Sequence, residues 1–291
     1  MGTQFTLTLP APNSLTAQRA NAAVNARMDA LNRIMSDYMD GSEINRLSET
    51  GGSGQWVRVS PDLYDVLQKS LTIARLSNGR FDPTVGPLSL LWRRAVRRGE
   101  FPTATQRRRA RRAVGYRLMQ LDSLTRSVRL LRNGMRLDVG GIGQGFAIDE
   151  AGKVLRGLGL RSFLLDLGGD VLAGEGNWSV ALDSATVTLH NAAITTSGDA
   201  YRHLDYRGRR YSHVMNPRSG LGLRHFVRVT VLAPDGWRAD ALTKVFSVAG
   251  LRRSRRLLRR FPDAEVLIVE NRNGRLHMWQ SSEFRYNSMP K

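Results

Sequence analysis

Apolar residues along this chain recur with two periods, and the places where one period gives way to the other divide it into elements. Residues 4–9 alternate apolar and polar, as a half-buried strand does. After the turn at Pro10 the period changes: Val24, Met28, Leu31 and Met35 fall on one face of a long helix that Ser14 is placed to cap. Residues 56–59 read as a short strand. Ser60-Pro61-Asp62 opens a second helix, with a capping side chain before a proline; Leu63, Val66, Leu67 and Leu71 form its stripe and Gly79 ends it. Residues 88–98 and the very basic 103–114 follow as helices. Strands are expected at 119–121, 128–131 and 135–139, the last two joined by Asn133-Gly134. More are expected at 163–172 around Gly168-Gly169, at 178–182 and at 186–195. Arg207-Gly208-Arg209 turns a hairpin, and 226–232 is rich in β-branched residues. Residues 237–250 and 251–261 are helical, and 266–269 with 275–279 close a hairpin across Asn273-Gly274. Many hairpins with several long helices make the chain α+β, with mixed or antiparallel sheets and flanking helices. No repeat or linker divides it, so it reads as a single domain over residues 1–291.

One stretch departs from this punctuation. Leu137 and Val139 alternate with polar neighbours, glycines follow at 140, 141, 143 and 145, and Phe146, Ala147, Ile148, Val154 and Leu155 then recur at helical spacing. A glycine-rich strand-to-helix turn lets a ligand approach the backbone and aims free N–H groups at an anion. It serves plain backbone geometry equally well. The spacing lacks the third glycine of the dinucleotide-binding fingerprint.

Charge sharpens the ligand question. Lys and Arg number 44 against 25 Asp and Glu, a formal net charge of +19. That balance favours anionic partners: nucleotides, acidic proteins, membrane surfaces or nucleic acid. The arginine runs at 107–112 and 252–260 read first as solvated helix faces. No aromatic residues interleave with them, so nucleic acid is not expected. The absence of cysteine excludes disulfides, thiolate metal sites and a cysteine nucleophile. No apolar run is long enough to span a bilayer, and no signal-peptide pattern is present.

Four further stretches belong with the glycine turn: Phe81-Asp82-Pro83-Thr84-Val85-Gly86-Pro87-Leu88, Thr196-Ser197-Gly198-Asp199, Tyr211-Ser212-His213-Val214-Met215-Asn216-Pro217-Arg218-Ser219-Gly220 and Ala239-Asp240-Ala241-Leu242. In order and spacing the five resemble the ApbE family of flavin transferases, from Met1-Gly2-Thr3 to about the last helix. The resemblance implies a T-fold-like core and an activity: FMN is taken from FAD and attached to a Ser or Thr hydroxyl of a partner flavoprotein, and AMP is released. It implies FAD contacts at Met1, Tyr38, Arg80, Phe81, Asp82, Gln144, Thr196, Ser197, Gly198 and His213. His213 is the expected acid–base, since an ordinary imidazole pKa of about 6.5 suits proton transfer at neutrality. Mg2+ would be held by the Gly143 carbonyl, the Asp240 carboxylate, also assigned to catalysis, and a hydroxyl four residues beyond it. Similar proteins are usually exported, so a periplasmic or cell-envelope location close to a membrane is expected, with the signal segment trimmed from this chain; a cytoplasmic form is the other reading.

Three positions differ from the family pattern. Asn216 stands for an Asp, Gln144 for a Lys or Glu, and Lys244 for the Thr that supplies the metal-binding hydroxyl. A protonated ammonium has no lone pair for a metal. Three arrangements remain open: Thr243 supplies the hydroxyl, the Lys244 ammonium takes the cation's place beside Asp240, or the two form only a helix-surface ion pair. Four functions follow: an FMN transferase, an FAD pyrophosphatase using water, a flavin-binding protein without catalysis, and a basic protein for nucleic acid or anionic membrane.

Overall fold

The computed structural model describes residues 5–182, 185–198, 203–224, 226–272 and 274–288. The helices among them are α1 (Ser14–Met35), α2 (Glu43–Glu49), α3 (Pro61–Leu76), α4 (Gly86–Arg98), α5 (Ala104–Arg112), α6 (Gly143–Gly157), α7 (Gly236–Ala249) and α8 (Leu251–Leu258). A seven-stranded sheet runs, edge to edge, through Phe5–Thr8, Leu164–Leu167, Asp170–Ala173, Ala193–Gly198, Val227–Ala233, Glu265–Arg272 and Arg275–Gln280, with every pair antiparallel.

Alternation along these strands sends successive side chains to opposite faces. Leu172, Ala193, Val229, Val231 and Ile268 join Phe146, Leu242, Val245 and Phe246 in the main core under α6 and α7. Val171 and Ile194 point the other way, onto Val187, Leu189 and Phe284. The strand Asp170–Ala173 is buried throughout because it is covered on both sides. By the same alternation Asp170 lies on the α6–α7 face, and so does Thr195, which donates to it at 2.6 Å.

Most expected elements form, and three details differ. Asn13, not Ser14, caps α1, its side chain accepting from the Thr16 N–H at 2.8 Å. Residues 186–195 split into Ala185–Leu189 and Ala193–Gly198 at a turn in which Asn191 takes a left-handed φ of 46°. The 135–139 segment does not fold back on Ser127–Leu130. Asp138 N–H donates to Pro83 O at 2.8 Å, Gly86 N–H to Arg136 O at 3.2 Å, and Leu137 N–H to Ser48 Oγ at 3.0 Å, so its backbone is satisfied by distant segments. That diversion lays the loop before α4 alongside the residues entering the glycine turn.

Candidate active site

The site is built on the crossing of α6 and α7. Gly145 and Gly236 make it possible: a Cβ on Gly145 would lie 2.1 Å from Gly236 O, and one on Gly236 would lie 2.7 Å from Gly145 O. At this distance each helix satisfies the other's N-terminus. Asp149 on α6 accepts from the Gly236 and Trp237 N–H groups, both at 2.8 Å. Asp240 on α7 accepts from the Gly145 N–H at 3.2 Å. Burial pushes the Asp149 carboxyl up to about 7, against the pull of those two N–H donors.

Asp240 is fully buried, and its second oxygen is held by the Lys244 ammonium at 2.5 Å, one helical turn on. The lysine stem crosses the glycine turn. A Cβ on Gly141 would meet Lys244 Cγ and Phe81 Cε2, both at 3.3 Å. Burial lowers the Lys244 pKa, but Asp240 and Asp170 outweigh it and leave it raised, so the ammonium keeps its charge. Asp170 is the third charge. Burial, then the Asp240 carboxylate, push it up to about 7, while Lys244 and the Thr195 hydroxyl oppose the shift.

These donors do not fit the implied divalent ion. The Thr243 hydroxyl is buried and donates to its own helix at Asp240 O, 2.7 Å away, as hydroxyls within helices often do. The surface ion-pair arrangement is also excluded, because Asp240 has no exposure. Gly143 is the first residue of α6, one position before Gln144, which is half-buried.

The remaining expected contacts divide into two kinds. Phe81 is buried against the glycine turn, and Tyr38 is exposed, with the Arg93 guanidinium 3.9 Å from its ring centre. Arg93 also pairs with Asp37 at 2.6 Å and Asp138 at 3.1 Å. Asp82, in contrast, has both oxygens engaged internally, by the Thr84 N–H and hydroxyl and by the Tyr116 N–H. Its carboxylate therefore shapes the loop and is turned away from any ligand. Thr196 likewise faces the sheet side opposite Asp240, its hydroxyl 2.9 Å from that of Thr230, whereas Ser197 is buried on the Asp240 side. Gly198 ends that strand, and Met1 and Asp199 lie outside the described residues.

His213 is exposed just after the strand Arg209–Ser212, whose hairpin docks on α4 through Trp92, Phe101, Tyr206 and Tyr211. Trp92 Nε1–H also donates to Gly220 O at 3.0 Å, pinning the far end of this motif. Asn216 serves the turn, accepting from the Arg218 N–H at 3.0 Å. Arg80, Arg218 and Arg260 donate to Ser77 O, Asn78 O and Leu76 O, at 2.8, 2.5 and 2.9 Å, closing the C-terminus of α3. Burial and the charges of Arg218, Arg253 and Arg260 lower the Arg80 pKa. Among the described residues none of these four arginines is paired with a carboxylate.

Sequence reasoning missed Asp170, Arg93, Asp37 and Asp138. Asp170 directly follows the Gly168-Gly169 pair, and paired glycines between strands mark a close backbone approach, so its position carried a signal. Arg93 carried none, being one of several arginines on a basic helix.

Comparison with known proteins identifies the fold and the family. The model of the ApbE family matches residues 1–268. An FAD:protein FMN transferase of Klebsiella pneumoniae is 28% identical, covering 98% of this chain and 86% of its own length, and one of Treponema pallidum is 29% identical over 81% and 73%. Among solved structures, the ApbE protein of Thermotoga maritima superposes with a TM-score of 0.83 at 26% identity, covering 97% of this chain and 94% of its own. The apo flavinyl transferase ApbE of Pseudomonas stutzeri gives a TM-score of 0.85 at 24% identity, over 97% and 92%. This chain belongs to the ApbE family.

Proposed function

We propose that this chain is an FAD:protein FMN transferase. One observation carries the reading: residues 83–86 lie along 136–138, so that Phe81 and Lys244 meet at the glycine turn, directly beside buried Asp240. Tyr38, backed by Arg93, offers an exposed ring for the adenine. The α6 N-terminus and the arginines around Arg80 supply positive potential for the pyrophosphate. In the transfer, the acceptor's Ser or Thr oxygen bonds to the riboflavin-side phosphorus while the bond from that phosphorus to the bridging oxygen breaks, and AMP leaves. His213 takes the hydroxyl proton. The acceptor is a flavoprotein; a periplasmic or envelope setting near a membrane is part of the proposal and rests on family likeness alone. One folded unit over 1–291 is likewise proposed, supported by a core running from Ala20 to Ile268.

The test is a titration with FAD followed by incubation with a Ser/Thr-containing acceptor. A saturable spectral change, stoichiometric AMP and covalent acceptor fluorescence are expected. AMP without covalent flavin would reassign the chain to pyrophosphate hydrolysis, and no FAD binding would end the flavin reading.

A further inference from the structure

The cation that the family fold implies has no free place on Asp240. Both carboxylate oxygens are engaged, one by the Gly145 N–H at 3.2 Å and one by the Lys244 ammonium at 2.5 Å. Mg2+ needs near-octahedral oxygen ligands at about 2.0–2.1 Å and keeps several waters. A fixed positive charge on the same oxygen would repel it. The hydroxyl one residue earlier, on Thr243, is buried and committed to the Asp240 carbonyl.

The lysine is held for this position. Its stem lies across Gly141 beside Phe81, which leaves the ammonium little choice of direction. The absence of a side chain at 141 is what lets the stem pass. Its side chain is nevertheless 24% exposed, against none for Asp240, so part of the lysine lies on the accessible wall. It has three N–H donors, of which Asp240 uses one.

Resting on the transferase reading, we propose that the Lys244 ammonium is a tethered replacement for the divalent cation: it occupies the cation's place on Asp240 and offers its remaining donors to the FAD pyrophosphate, so that this chain binds FAD and releases AMP without Mg2+. A single charge grips phosphate oxygens less firmly than a multidentate metal, so turnover is slow.

The experiment uses the whole chain. Mn2+ is titrated by electron paramagnetic resonance, and FAD affinity is measured in EDTA and in millimolar MgCl2. The wild type is expected to show no stoichiometric Mn2+ site and FAD affinities within about twofold of each other. Lys244→Thr is expected to acquire one Mn2+ site and to lose roughly tenfold in FAD affinity in EDTA, regained with Mg2+. Lys244→Met is expected to lose the same affinity with no rescue. A one-per-chain Mn2+ site in the wild type, or wild-type FAD binding that survives only with Mg2+, overturns the proposal and leaves the transferase reading standing. Failure to bind FAD under either condition removes both. The wild-type measurements decide the matter even where a variant fails to fold.

Discussion

Gly145 is the position at which one methyl group should do the most damage. A Cβ there would lie 2.1 Å from Gly236 O, 2.5 Å from Gly236 C and 2.7 Å from Asp240 Cβ, and two of these three neighbours are backbone atoms. Ordinary contact needs about 3.5 Å, so α6 and α7 must separate by roughly 1.4 Å. Overpacking of this kind costs about 1–3 kcal/mol. Separation also stretches the Gly145 N–H bond to Asp240 in a dry interior, worth about 1–3 kcal/mol more. Gly145→Ala should therefore destabilise by about 2–6 kcal/mol, a large part of the ~5–15 kcal/mol of a typical domain. The helix-propensity gain of up to about 1 kcal/mol offsets only a fraction of this. Urea unfolding measures it, with FAD affinity as a second readout because Asp240 moves with α7. Gly157→Ala is the control: it adds the same methyl to the same helix with nothing within 4 Å, and should be neutral or slightly stabilising. If Gly145→Ala stayed within about 0.5 kcal/mol of wild type with unchanged FAD affinity, the close crossing would not be what holds the site.

Two other outcomes are expected. His213→Ala should lower AMP release by about 10²-fold while leaving FAD affinity largely intact, if the imidazole takes the acceptor proton; unchanged release would make it structural. Asp149 gives a pH signature. Its folded pKa is raised from 3.8 to about 7, so the folded chain holds a proton that the unfolded chain has lost; the stability it contributes is greatest below the ordinary value and falls as pH rises through about 7. Asp170 shifts the same way, so Asp149→Asn should make the decline of the urea midpoint with pH shallower without abolishing it. An unchanged slope would clear Asp149 as a source.

Local chemistry was enough for much of this. Ser60-Pro61 starts α3 where a cap followed by proline should, with the Ser60 hydroxyl accepting from the Leu63 N–H at 3.2 Å. Arg207-Gly208 turns its hairpin because both residues take positive φ, 49° and 68°. The five motifs, read in order, carried the family, and the hairpins with long helices carried the α+β class. What sequence could not decide were matters of long-range pairing and side-chain direction. Residues 135–139 have strand periodicity and a good turn before them, yet their backbone pairs with a loop some fifty residues upstream, because that contact closes the core under the glycine turn. Asp82 and Thr196 lie inside motifs but turn their side chains to internal partners, and Asp170 lies outside every motif but faces Asp240. Spacing on α7 put Thr243 and Lys244 at comparable angles from Asp240. Only the packed structure separated them: the short hydroxyl bonds its own helix, while the long lysine has Gly141 to pass over and a buried carboxylate to reach.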